Sequence, residues 1–221
     1  LLKIILIAIF LLGGHSAFAL DTPIMSGSSS LPSTTVTNYS HPFGSLLTWN
    51  ATENSSRGVI PTDGLGKNFY VSVSTAPGVT NSWTFTLVKN GVDTSVTCTI
   101  SNTTTTCNNT ANSLTILAGD TISLKSVPSG TPDSPVQLHF GWIFKSTEEN
   151  ESPLLGTNRS TALSTTTVQY GALLGASVPS ATLNLRDSII PTNGIIGKLY
   201  VESNAAPGAG KNVQFRVLKN G

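Results

Sequence analysis

Apolar and polar residues alternate with period two along much of this chain. Trp83, Phe85 and Leu87 face one way while Thr84, Thr86 and Val88 face the other. Phe69, Val71 and Val73 repeat the pattern, with Tyr70 on the opposite face. That period is the mark of a half-buried strand. Further runs at 92–100, 103–107, 113–117, 121–127 and 136–144 predict more strands. Ala76-Pro77-Gly78, Ala118-Gly119-Asp120 and Pro128-Ser129-Gly130 mark turns between strands. Asn90-Gly91 predicts a tight hairpin, because both positions tolerate positive φ. Roughly eight to ten short strands in about 115 residues predict an all-β fold, an antiparallel β-sandwich of the jelly-roll kind.

The same pattern returns further along. Ile60-Pro-Thr-Asp-Gly64 recurs as Ile190-Pro-Thr-Asn-Gly194, Ala76-Pro-Gly78 as Ala206-Pro-Gly208, and Lys89-Asn-Gly91 as Lys219-Asn-Gly221, all at an offset of 130. Between Ile60 and Gly91 there are 13 identities in 32 positions. Thr34, Thr35, Tyr39 and Gly44 match Thr165, Thr166, Tyr170 and Gly175 at an offset of 131. A repeat of this length sets the architecture. The expected organisation is a complete domain over 30–147, a linker over 148–159, and the N-terminal half of a second domain over 160–221. The sequence is thus expected to be a piece of a longer protein.

The N-terminus breaks the alternation. Lys3, an apolar run from Ile4 to Leu12 and the Ala17-Phe18-Ala19 triplet are the three parts of a secretory signal over 1–19. Residues 20–29 are expected to be a linker, with the mature chain starting at Leu20. The apolar run is too short to span a bilayer comfortably, and no second one follows, so no membrane span is expected in the mature chain. Composition agrees with export: charged residues are only 10%, while Ser and Thr number 58 of 221. Losing Lys3 from the 12 basic residues leaves 11 against 11 acidic ones. A neutral chain without basic clusters offers nucleic acid or anionic membrane no electrostatic footprint.

Cys98 and Cys107 are the only cysteines. A hairpin centred on Asn102-Thr103 would place them directly opposite, and an oxidising compartment favours a disulfide over a metal site. Closing a loop of about ten residues stabilises by about 2–3 kcal/mol. His41 and His139 have no Cys or carboxylate at metal-ligand spacing, and neither is expected to be catalytic. Asp63, Asp93, Asp120 and Asp133 fall in turns, where a short carboxylate caps backbone N–H groups. Gly64-x-Gly66 is no nucleotide loop, because no helix follows it. No cofactor and no metal are expected. Asn38, Asn50, Asn54, Asn102, Asn108, Asn150 and Asn158 head Asn-x-Ser/Thr sequons and are the candidate glycosylation sites.

Several short motifs stand in a familiar order: Gly66-x-x-Phe69-Tyr70-Val71, then Phe85-x-Leu87-x-Lys89-Asn90-Gly91. Leu117-Ala118-Gly119-Asp120-Thr121-Ile122-Ser123-Leu124 and Phe140-Gly141-Trp142-Ile143-Phe144 follow. Over residues 30–145 this resembles the complement globular-head and tumour-necrosis-factor jelly-roll superfamily, and the resemblance implies self-association as trimers. The expected function is an exported, non-enzymatic structural or adhesive surface protein. One rival is a carbohydrate-binding module of a longer exported enzyme, for which Trp49, Trp83 and Trp142 are candidate aromatics, the latter two placed in the core by alternation. The other is a virion fibre protein.

Overall fold

A computed structural model describes residues 20–28, 30–45, 49–158, 161–191 and 193–220, so the signal segment 1–19 lies outside the described residues. The first strands are β1 (Asp21–Ser28), β2 (Asn38–Ser40), β3 (Gly44–Ser45) and β4 (Gly58–Val59). The long ones are β5 (Gly64–Val73), β6 (Gly78–Lys89), β7 (Val92–Asn102), β8 (Thr106–Ile116), β9 (Thr121–Ser129) and β10 (Leu138–Ser146). The two-residue β11 (Gly156–Thr157) and β12 (Gly175–Ala176) complete the set.

Two sheets face each other. One runs β3-β1-β10-β5-β8; the other runs β2-β9-β6-β7, with β4 also on β9. Pairing is antiparallel except where β3 meets β1. The chain crosses between sheets from β5 to β6, β7 to β8, β8 to β9 and β9 to β10, a winding of the jelly-roll type. Alternation explains the core. Phe69 and Val71 on β5 meet Trp83, Phe85 and Leu87 on β6, and Phe140, Trp142 and Phe144 on β10 close over them. Each such side chain contributes about 1.5–3 kcal/mol on leaving water. Trp142 also donates from Nε1 to the Pro42 carbonyl at 2.8 Å. At the hairpin, Asn90 (φ 51°) and Gly91 (φ 82°) both take the left-handed conformation that joins β6 tightly to β7.

The structure corrects several expectations. Residues 21–28 are not a linker: they pair with β10 from Asp21↔Lys145 to Ser28↔Leu138. Only Ile24 in this strand is a buried hydrophobic, and Pro23 reads as a breaker. Pro23 is tolerated because β3 pairs with β1 only at Ser26 and Gly27, leaving the rest of that flank open. The runs 103–107 and 113–117 are joined in one strand, β8, across a bulge opposite Asn68. Asn102-Thr103 is not a hairpin centre. The chain leaves β7 in one sheet and enters β8 in the other.

Past residue 147 the expected linker instead packs. Leu155 is buried in the first core, and β11 pairs with β12 in parallel. Glu151 bonds Thr62 and Lys198, and Arg57 lies 3.6 Å from Glu202. Local conformations recur at the sequence offset. The parallel bridges Ser26↔Gly44 and Gly27↔Ser45 return as Gly156↔Gly175 and Thr157↔Ala176. The 3₁₀ turn Glu53–Ser55 returns as Leu183–Leu185. The Tyr39↔Asn50 bridge returns as Tyr170↔Ser180. Beyond Leu185 no described residue belongs to a ladder.

Candidate functional site

Cys98 and Cys107 are bonded, with Cα atoms 5.7 Å apart. The bond differs in kind from the expected hairpin rung. Cys98 pairs with Phe85 in one sheet and Cys107 with Val71 in the other, so the disulfide ties two sheets together. It does so where β7 and β8 form the free edges of their sheets. Asn109 extends the closure: its Nδ2 donates to the carbonyls of Ser95 (3.0 Å) and Thr97 (2.8 Å) on β7. Asn112 adds a bond to Ser95 at 3.1 Å. Unpaired edge carbonyls are thus capped by side chains, which removes a template for foreign strands.

The outer face of the β1-β10-β5-β8 layer carries the candidate binding surface. Register places Met25, Gly141, Tyr70 and Asn108 in one row across four strands. Gly27, His139, Ser72 and Thr106 form the next row. Gly141 has no side chain, so an open groove of about 970 Å³ runs between Met25 (73% exposed) and Tyr70 (52% exposed). The His139 ring lies over Gly27, where an added Cβ would come within 2.6 Å of its Nδ1. Leu174 and Gly175 also line it. No Asp, Glu, Lys or Arg is among the described residues that line it, so the groove is uncharged apart from its histidine.

The expected turn roles of two aspartates are visible. Asp63 Oδ1 accepts from the Ala118 amide at 2.6 Å, and Asp120 Oδ2 from the Leu117 amide at 2.8 Å. Burial alone would raise the Asp120 carboxyl, but the Leu117 amide, Asn90 and Lys89 together hold it below the ordinary range. Asp93 instead pairs with Lys125, and Asp133 donates its amide to the Pro77 carbonyl. His41 is buried beside the second region, its Nε2 3.2 Å from Thr157 Oγ1, and burial pushes its pKa down. Among the described residues no group of three or more His, Cys, Asp or Glu could hold a metal ion.

Trp83 and Trp142 are core residues, and Trp49 is partly buried with its Nε1 on the Ser30 carbonyl. On this outer face the exposed aromatic is Tyr70, which sequence reasoning placed opposite the core side of its strand without giving it a role. Met25 was hidden inside the supposed linker. Of the sequon residues, Asn54, Asn102, Asn108 and Asn150 are exposed, Asn50 and Asn158 half-buried, and Asn38 buried. Asn108 lies in the groove. Among the described residues, no helix is long and apolar enough to cross a membrane. No family model matches the chain, and no curated protein is similar enough to place it.

Proposed function

We propose that this chain is an exported, non-catalytic surface module with a structural or adhesive role, and that its sandwich associates with further copies through the outer face bearing Met25 and Tyr70. The observation that supports this reading is that groove: large exposed apolar side chains on the outer sheet face, with no Asp, Glu, Lys or Arg among the described lining residues to keep copies apart. The carboxylates nearest to chemistry are engaged structurally, Asp63 and Asp120 on amides and Glu53 on Arg57 and Ser123. The trimeric state comes from the family resemblance. Sedimentation of the full chain at several concentrations tests it: a trimer is expected, and Tyr70→Asp should return it to monomer. A wild-type protein that stays monomeric at high concentration refutes the proposal.

A second reading, a carbohydrate-binding module, draws on the same surface. An exposed tyrosine ring flanked by Ser72, Thr106, Asn108 and His139 offers a sugar both an apolar face and hydrogen-bond partners. Glycan binding that is lost in Tyr70→Ala, by a monomeric protein, would favour it.

A further inference from the structure

Among the described residues that line the outer groove, His139 is the one whose side-chain type changes charge between pH 5 and 8. It stands exposed on β10, the central strand of its sheet, in the row Gly27-His139-Ser72-Thr106. Its ring lies over β1 at Gly27, where even a Cβ would crowd Nδ1. The imidazole is thus part of the groove wall.

What surrounds the ring decides what a proton on it would cost. The ionisable residues of the neighbouring strands are Asp21 on β1, Lys67 and Tyr70 on β5, and Lys145 on β10 itself. β3 carries none, and on β8 the one candidate, Cys107, is bonded to Cys98. Leu174 and Gly175 bring no charge. Tyr70 is a phenol, neutral in this range. Lys67 bonds Asp21 at 3.1 Å, and Asp21 is the register partner of Lys145. Along β10 this charged end lies four residues from His139 at Ile143, opposite Lys67, and six at Lys145. At about 3.3 Å per residue that is about 13–20 Å, beyond the screening length of about 8 Å in physiological salt. Near the ring stand Ser72, Thr106 and Asn108, and Ser26, whose Oγ donates to the Gly44 carbonyl. These offer hydrogen bonds and no counter-charge.

We infer that His139 makes association through this face pH-dependent: the neutral ring is buried against a second copy, and the imidazolium opposes that burial. The inference rests on the self-association proposed above and adds its regulation. A neutral imidazole loses water at the cost of a hydrogen bond, whereas a cation buried without a counter-charge costs far more. Linkage gives the sign. Separate copies take up protons on rings that the assembly holds neutral, so association weakens as pH falls.

Sedimentation of the full chain from pH 8 to pH 5 tests this. The association constant should fall about tenfold or more for each ring buried. In His139→Gln the fall should shrink to about twofold or less. His139→Lys, charged throughout, should associate about tenfold or more weakly already at pH 8. Circular dichroism at each pH separates dissociation from unfolding, and His41 is common to all three proteins. Wild-type association that does not weaken by pH 5, or weakens as much in His139→Gln, overturns the inference and leaves self-association standing. So does a His139→Lys protein that associates like the wild type at pH 8. A wild type that is monomeric at every pH overturns both.

Discussion

Residues 58–90 and 188–220 have similar sequences and opposite fates. Phe85 has no exposed surface and its counterpart Phe215 is 43% exposed; Ile60 is fully buried and Ile190 is 47% exposed. Yet the left-handed residues, the 3₁₀ turns and the short parallel bridges recur at nearly the same offset in both parts of the chain. Turn chemistry acts over a few residues and is written wherever the residues are. Strand formation acts between segments distant in sequence and needs the partner to be present. The contrast separates local from tertiary causes inside one chain.

The sharpest way to break this comparison is to cut the same side chain in both places. Phe85→Ala should cost about 3–5 kcal/mol, the range for a large core truncation. Phe215→Ala should change stability by no more than about 0.5 kcal/mol, as at an exposed site. Chemical denaturation of the two variants reads this, and equal losses would mean that Phe215 is packed in solution.

Next comes the inter-sheet disulfide of the first region. Replacing Cys98 and Cys107 together by Ser should cost about 2–3 kcal/mol. The loss should appear as faster hydrogen exchange along β7 and β8, the two edges that the bond ties. Exchange in 188–220 should not change. If exchange rises evenly over the whole chain, the bond does not close one edge in particular.

The smallest effect sharpens the joint between the regions. Burial lowers the pKa of His41, which is 3.2 Å from Thr157. Above the ordinary value of 6.5 the neutral ring costs nothing in either state. As pH falls below it the unfolded chain takes up a proton that the folded chain resists, so stability is lost down to the folded pKa. Tm should therefore drop from pH 7 towards pH 5 by more in the wild type than in His41→Gln. Parallel curves for the two proteins would show that His41 does not couple to folding.

Period-two alternation was enough to place β5, β6, β7 and β9, to bury Trp83 and Trp142, and to call for a sandwich. Asn-Gly was enough for the β6–β7 hairpin, because positive φ is a property of the residues themselves. The two cysteines announced their bond but not its meaning. Loop length is the same for a hairpin rung as for a staple across two sheets, and only the crossing from β7 to β8 distinguishes them. β1 was invisible because β10 supplies its order and its own sequence has one buried hydrophobic, Ile24. The groove was invisible for the same kind of reason. Met25, Gly141, Tyr70 and Asn108 are far apart in the chain and become neighbours only through the register of four strands. Residue chemistry and short-range spacing are carried by the sequence directly, whereas adjacency across a sheet is settled when strands choose their partners.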